Sequence, residues 1–455
     1  MENIVFYVVS NLIIRDFIKS GALDELEKKY NVYYLIDKNR VSVPINKKNV
    51  IPHDFSYKDA RLRVLVRAAF IIRVSRHSSS YRLLHNTTWT LARIIKIVLS
   101  WPPIFEVLRA LVEFIVKPDI ALCKKIEAVK PKLIIVPTTR ADKAELDFVK
   151  IAKILKIKSL AIPSGWDHVT TKLLLYIKPD YMGVWGEQNA YYARKMLGMK
   201  NSRIAVLGAP QYQCLFDSLH GTKLQSLRAE FREKNNLPFD KKVILFGGSL
   251  RRFNETALLK NLDDAIEDKR LTGVHIFYRP HPWREKRPQE KSFFDVGFKN
   301  VTFDESVKEA YMHAKEKNIN LTPKTVMPKM TDYVSLYNGI DCMITPLSTI
   351  IVELFIYGKP SLGIGFDDDI SDSFSSMGRR CNWEQFNYIK KMHFIVSSDR
   401  GSFIDDCRKL VEFTNDPKAE RKIKDDIKHV VYNDDARYSQ RLLKAVEALL
   451  NKKGD

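Results

Sequence analysis

No stretch of this sequence reaches the ~18 uninterrupted apolar residues that a membrane-crossing helix needs, so no spanning segment is expected. Cysteine is sparse: Cys123, Cys214, Cys342, Cys381 and Cys407 are scattered without a CxxC or Cys/His spacing. That scatter argues against a zinc site or a disulfide framework, and a reducing cytosol is the simplest home. The segment Met1 to Phe17 has neither a basic leader nor a small-residue cleavage site, which speaks against a signal peptide, and Asn3 to Val9 reads as a buried strand. Zinc-finger, RRM and KH patterns are also missing, which weighs against a nucleic-acid partner. No Asp-x-Asp pair sits in a convincing metal loop. Asp367, Asp368 and Asp369 read as a solvated acidic turn, so no metal site and no obligatory metal are expected.

Acids are outnumbered. Against 54 Asp and Glu stand 75 Lys and Arg, a formal charge of +21 that favours anionic partners: nucleic acid, acidic lipid or a phosphorylated substrate. With 45% apolar and 28% charged residues over 455 positions, the composition is that of a globular protein. At roughly 100–200 residues per domain, two or three domains are expected. The basic excess is concentrated in 60–118, where ten Lys or Arg face only two acids. There Arg61, Arg63, Arg67, Arg73 and Arg76 are interleaved with Leu, Val, Phe and Ile, and a second run to Lys117 is interrupted by Pro102 and Pro103. Basic amphipathic helices of this kind lie in the headgroup layer of an anionic membrane, with Trp101 and Phe105 toward the acyl chains. The alternative is that they pack on the first lobe, with the arginines solvated or paired with Glu106 and Glu113.

From about position 120 the chain repeats a unit: a short apolar run, a polar or glycine turn, then a helical stretch, the pattern of a parallel sheet with crossover helices. The runs are Lys132 to Val136, Ser159 to Ile162, Tyr181 to Trp185 and Arg203 to Leu207, then Lys242 to Phe246, Val274 to Tyr278, Cys342 to Thr345 and Ser361 to Ile364. A charged helical stretch separates the two sets. The reading is an α/β chain of two lobes, 1–220 and 241–455, joined by a linker helix at 221–240, with 60–118 as a helical insertion in the first.

In open α/β sheets, ligands bind beyond the carboxyl ends of the strands. Three loops of the second lobe suit an anion there. After Lys242 to Phe246 comes GGSLRR, in which Gly247, Gly248 and Ser249 could offer backbone amides and Arg251 or Arg252 a charge. After Val274 to Tyr278 comes RPHPW, where Pro280 and Pro282 stiffen a loop that carries Arg279 and His281. After Cys342 to Thr345 come Ser348 and Thr349, two hydroxyls ahead of a helix. Each alone has an ordinary structural explanation, but three at one sheet edge point to a phosphate-bearing ligand. In the first lobe the loop PSGWDHVTTK sets Asp167 beside His168, either able to take a proton from a hydroxyl, and Glu187 is a further carboxylate at the same edge or only a helix-start residue.

The motif order resembles bacterial glycosyltransferases of the GT-B architecture. It is closest to the CDP-glycerol glycerophosphotransferases of teichoic acid and capsule synthesis and to the CMP-sugar (sialyl and Kdo) transferases. The residues that carry the resemblance are Trp166-Asp167-His168, Gly208-Ala209-Pro210, Arg279-Pro280-His281-Pro282, Ser348-Thr349, Glu353 and Gly358-Lys359-Pro360, within roughly 130 to 365. The resemblance implies two Rossmann-like lobes facing across a cleft. Donor phosphate would be held by His281, Ser348 and Thr349, with Glu353 in the same nucleotide site, and the base would come from the first lobe as Asp167 or His168. It also implies a nucleotide-sugar donor, CMP- or CDP-linked before UDP or GDP, and a saccharide or lipid-linked acceptor. The setting would be the cytoplasmic face of the membrane. A nucleotide-sugar epimerase shares the fold and needs no acceptor. A nucleic-acid-binding protein is the reading outside enzymes.

Overall fold

The computed structural model describes the chain apart from residues 57, 59, 85–90, 222–223, 251–252, 284–292, 323–325, 372–375 and 452–455, and apart from the side chains of 82–84, 91–93 and 96. It forms two compact units. The first comprises Met1–Gln211, Trp383–Gln385 and His429–Asp455, and the second Tyr212–Asn382 and Phe386–Lys428.

The first unit is built on seven parallel strands: β1 (Asn3–Val8), β2 (Asn31–Asp37), β3 (Val50–His53), β4 (Leu133–Thr138), β5 (Lys158–Pro163), β6 (Tyr181–Val184) and β7 (Ile204–Val206). Their order is β3-β2-β1-β4-β5-β6-β7. The second unit carries β8 (Lys242–Gly247), β9 (Val274–Arg279), β10 (Val301–Phe303), β11 (Cys342–Thr345), β12 (Ser361–Ile364) and β13 (Phe394–Ser397), ordered β10-β9-β8-β11-β12-β13. This sheet is parallel as well. The central strands are continuous apolar runs because both faces are covered, as Ile4 to Val8 and Leu133 to Val136 illustrate.

The lobe boundaries differ from the sequence reading. The terminal helix Tyr438–Asn451 belongs to the first unit, not the second, because Tyr438, Leu442, Val446 and Leu449 enter the core around β1 and β4. Nor is 221–240 a free linker. The helix Leu224–Lys234 is part of the second unit: buried Arg232 donates to the carbonyls of Gly339 (2.9 Å) and Pro238 (3.0 Å) and pairs with Asp341 (2.7 Å). Trp383–Gln385 joins the first unit through Glu384, whose carboxylate accepts the Ser79 (2.5 Å) and Ser80 (3.1 Å) N–H groups and the Ser78 hydroxyl (3.1 Å).

The insertion in the first lobe is helical as expected, with helices Arg61–Ser75, Ser79–Leu84, Leu91–Leu99 and Pro102–Ile115. Two assignments within it change. Phe105 points inward, packed with Val66, Phe70 and Val112, so it cannot reach an acyl chain. Arg63 is buried in an ion pair with Asp147, and the Arg73 guanidinium lies 5.1 Å from the centre of the Phe105 ring. These two arginines are structural rather than a solvated face.

Candidate functional site

In the second sheet the chain runs β8, β9, β10 outward on one side and then returns to place β11 on the other side of β8. The crevice between the carboxyl ends of β8 and β11 is therefore the topological switch point, where open α/β sheets hold their ligands. The three anion-suited loops follow β8, β9 and β11, and they are tied together there. The Thr345 hydroxyl donates to the Gly247 carbonyl (2.8 Å) and lies 3.2 Å from Ser348 Oγ. Gly248 N–H donates to the Arg279 carbonyl (2.8 Å). A β-carbon at Gly248 would stand 2.8 Å from His281 N and 2.9 Å from Pro280 Cα, so only glycine allows the two loops to approach this closely.

His281 is held in a defined state. Its Nδ1 accepts from the Trp283 N–H (3.2 Å), which leaves the proton of a neutral imidazole on Nε2. Its carbonyl accepts from Tyr311 Oη (2.7 Å), and Trp283 Nε1 donates to the Val326 carbonyl (2.7 Å). Ser348 is half-buried and Thr349 exposed at the start of the helix Ile350–Ile356, and the Thr349 side chain makes no capping hydrogen bond to that helix. The ordinary explanation of Thr349 as a helix cap therefore does not apply.

Other expected donor-site residues have different duties. Arg279 is the last residue of β9, buried, ion-paired with Asp304 and stacked 4.9 Å from the Tyr333 ring centre. It braces the loop instead of presenting a guanidinium to a ligand. Neither Gly248 nor Ser249 offers an open amide: the first N–H goes to Arg279, and the second goes to Glu255 Oε1 (2.8 Å). The Glu353 carboxylate accepts from Tyr212 Oη (3.0 Å) and from Tyr337 Oη, so it fastens helices together within the lobe. Arg251 and Arg252 lie outside the described residues. Glu255 was missed by the sequence reading, although it anchors the loop by accepting from both Ser249 N–H and Tyr278 Oη (2.6 Å). The available signal was Asn254-Glu255, a cap followed by an acid directly after the glycine loop.

The first sheet has its own reversal, between β1 and β4. Beside it stand Arg40 and Asp142, paired at 2.9 Å, and buried Glu145, which accepts from the Thr139 (2.9 Å) and Asp142 (3.2 Å) N–H groups. Burial, then the charge of Asp142, pushes the Glu145 carboxyl up to about 7. These residues were also missed; Asp142-x-x-Glu145 is legible as a capping box, and the structure contains one.

Asp167 and His168 follow β5, at the start of the short helix His168–Thr171. Asp167 Oδ2 takes Lys172 Nζ at 3.2 Å and the Thr171 hydroxyl at 3.2 Å, and its Oδ1 lies 3.8 Å from His168 Nε2. Burial would raise this carboxyl, but the Lys172 ammonium and then His168 outweigh it and hold it well below the usual carboxylate range. His168 packs against Gly165, and among the described residues its buried Nδ1 has no hydrogen-bond partner. Burial, then the Lys172 charge, draws this imidazole down to about 4. Glu187 is exposed at the first turn of the helix Glu187–Leu197, after β6.

The depressed histidine has a consequence for stability. Unfolded, it takes up its proton near pH 6.5; folded, only near 4. Between these values the unfolded chain binds the extra proton, so stability falls as pH drops from about 6.5 to about 4, by an amount of order 3 kcal/mol. His275, drawn down to about 4 by burial and then Lys241, adds a change of the same sign in the second unit. Urea midpoints measured across this range should fall with acidification, and less steeply in His168→Asn; an identical slope in that variant contradicts the assignment.

Solved structures of the same architecture align over almost the whole chain. The S. aureus MnaA-UDP co-structure matches with a TM-score of 0.51 at 11% identity, covering 99% of this chain and 97% of that one. A glycosyltransferase from Rickettsia africae gives 0.51 at 10%, covering 99% of both chains. The fold is GT-B. A third solved structure of similar fold, UDP-GlcNAc 2-epimerase from Neisseria meningitidis bound to UDP-GlcNAc, gives 0.50 at 12% with 98% of this chain and 100% of that one covered. No family model and no curated protein matches the sequence.

Among the described residues, no group of three or more His, Cys, Asp or Glu is placed to hold a metal ion. Asp367 accepts from Met377 N–H (2.6 Å) and the Ser376 hydroxyl (2.7 Å), and Asp368 from Asn254 N–H (2.5 Å) and the Ser371 hydroxyl (2.7 Å). The acidic run thus organises its own loop.

Proposed function

We propose that this GT-B chain is a transferase that moves a sugar, or an alditol phosphate, from a nucleotide-activated donor to a hydroxyl of a saccharide or lipid-linked acceptor. Bacterial capsule, lipopolysaccharide or another surface polysaccharide would be the product, made by an enzyme bound peripherally at the inner face of the cytoplasmic membrane. The observation that carries the reading is the convergence of His281, Gly248 and Ser348 at the β8/β11 reversal. With Nδ1 accepting from Trp283, His281 can direct Nε2–H at a phosphoryl oxygen, and the Ser348 and Thr349 hydroxyls can donate to the same group. In the first lobe the imidazole of His168, whose side chain is 13% exposed, accepts the acceptor's proton. The acceptor oxygen then bonds to the anomeric carbon, or to phosphorus in the alditol case. The bond from that atom to the donor's phosphate oxygen breaks, and the electron pair leaves with the nucleotide. Asp167, an anion at every working pH, orients and stabilises the protonated imidazole.

The donor base is favoured as cytosine, CMP or CDP, with UDP and GDP behind it. A thermal-shift series over CMP, CDP, UDP, GDP and ADP decides this, because a ligand at 100 times its Kd stabilises by about 2.7 kcal/mol. One nucleotide is expected to raise Tm by several degrees, and no shift with any of the five overturns the reading. The second reading, a nucleotide-sugar epimerase, is favoured by the Neisseria protein of the same fold, which is an epimerase with UDP-GlcNAc bound. Donor turnover without any acceptor would establish it.

A further inference from the structure

The helix Pro102–Ile115 is apolar on the wrong side. Phe105, Leu108 and Val112 face inward, as a surface helix requires, yet the opposite face carries Val107, Leu111, Phe114 and Ile115, with Phe114 89% exposed. A helix at a protein surface ordinarily turns polar residues outward, and one that is apolar all round is covered by something. Its charged residues do not relieve this, because Arg109 pairs with Glu106 (2.7 Å) and Glu113 (2.5 Å) along one flank. The neighbouring helix Leu91–Leu99 repeats the arrangement with Ile94, Ile95 and Val98 exposed. Both helices pack on Arg61–Ser75 and touch each other, so their outward residues share one surface, with exposed Trp101 between them and exposed Ile120 just beyond.

We infer that this surface docks on an anionic lipid bilayer, its apolar side chains entering the boundary between headgroups and acyl chains. The charge around it selects this occupant over a second copy of the chain. Arg61, Arg76 and Lys117 are exposed on or beside the same helices, and the only two acids of 60–118 are both paired, Glu106 with Arg109 and Glu113 with Arg109 and Lys153. In a two-fold dimer those cations would confront their own copies, whereas a bilayer rich in acidic lipid supplies the opposite charge. Exposed Trp101, between the two helices in the chain, carries an amphipathic ring of the kind that favours the headgroup level. This deepens the reading of a peripheral enzyme, and it replaces the interleaved arginines with the outward apolar face as the main determinant.

The test needs neither donor nor acceptor, so its failure leaves the chemistry of the second lobe untouched. The full chain is co-sedimented with vesicles of phosphatidylglycerol and, separately, of phosphatidylcholine. The parent should partition onto the first and much more weakly onto the second. The double variant Leu111→Ser with Phe114→Ser, both at exposed positions, should retain the parent's Tm and lose at least about a hundredfold in partition, since each buried side chain of this size contributes roughly tenfold or more. A parent that ignores phosphatidylglycerol, or a double variant that partitions as the parent does, overturns the inference. So does a parent that sediments as a dimer in free solution and becomes monomeric in the double variant, which assigns the face to a second copy.

Discussion

His168→Ala is expected to lower kcat by roughly 10²–10⁴ with donor affinity nearly unchanged, because the proton moves only in the transition state. The sequence alone kept both Asp167 and His168 as candidates. In the folded lobe that carboxylate is engaged by Lys172 and Thr171, while His168, its imidazole drawn down to about 4, is neutral at pH 7 and able to take a proton. Asp167→Asn should therefore cost less than His168→Ala and act through the imidazole's orientation. The pH profile separates the two roles. Only the neutral ring accepts a proton, so kcat/KM should rise with pH through a limb near 4. Lys172→Met removes one of the charges that depress the ring and should move this limb upward, toward the ordinary histidine value. If Asp167→Asn and His168→Ala each keep more than a tenth of the parental kcat, the proton acceptor lies elsewhere, and Glu187 is the next carboxylate to replace.

The strands that position these groups were largely readable because a parallel strand buried on both faces is an unbroken apolar run. β4, β5, β8, β9 and β11 were all read to within two residues. The strands that escaped are mostly short pieces at sheet edges: β3 contains Pro52, β10 has three residues and β13 four. Edge strands make half the ladder bonds and need less apolar sequence. The loops of the candidate site were readable as neighbours, since Gly248, Pro280, His281 and Ser348 follow strands that the sequence pattern places in one parallel sheet. What each side chain does within its loop was not readable, because that depends on partners remote in sequence. Asp304 meets Arg279 across 25 positions, and Glu384 reaches Ser79 across 305. The same limit hid the carboxyl-terminal helix, whose apolar stripe is plain but whose destination in the first lobe is set by packing alone.

Arg279→Ala and His281→Ala, alike on the sequence, should behave in opposite ways. Removing the guanidinium leaves the Asp304 carboxylate buried without its cation, and breaking a buried pair from one side costs about 3–5 kcal/mol. For a lobe of this size that corresponds to a fall in Tm of roughly 6–20 °C. Asp304→Asn should cost less. It strands the Arg279 cation instead, but that guanidinium keeps the Tyr333 ring, and the Asn side chain can still accept from Ser306 N–H (3.1 Å) to cap the helix Glu305–Glu316. Arg279→Lys should fall between, since an ammonium keeps the charge but loses the planar stack on Tyr333. His281 is half-buried on the following loop, so His281→Ala should leave Tm close to the parent and abolish the stabilisation by nucleotide. Differential scanning calorimetry of the four variants, with and without the nucleotide that shifts the parent, reads both quantities at once. If Arg279→Ala melts within about 2 °C of the parent yet no longer responds to nucleotide, the guanidinium touches the ligand, and the bracing role assigned to it here is wrong.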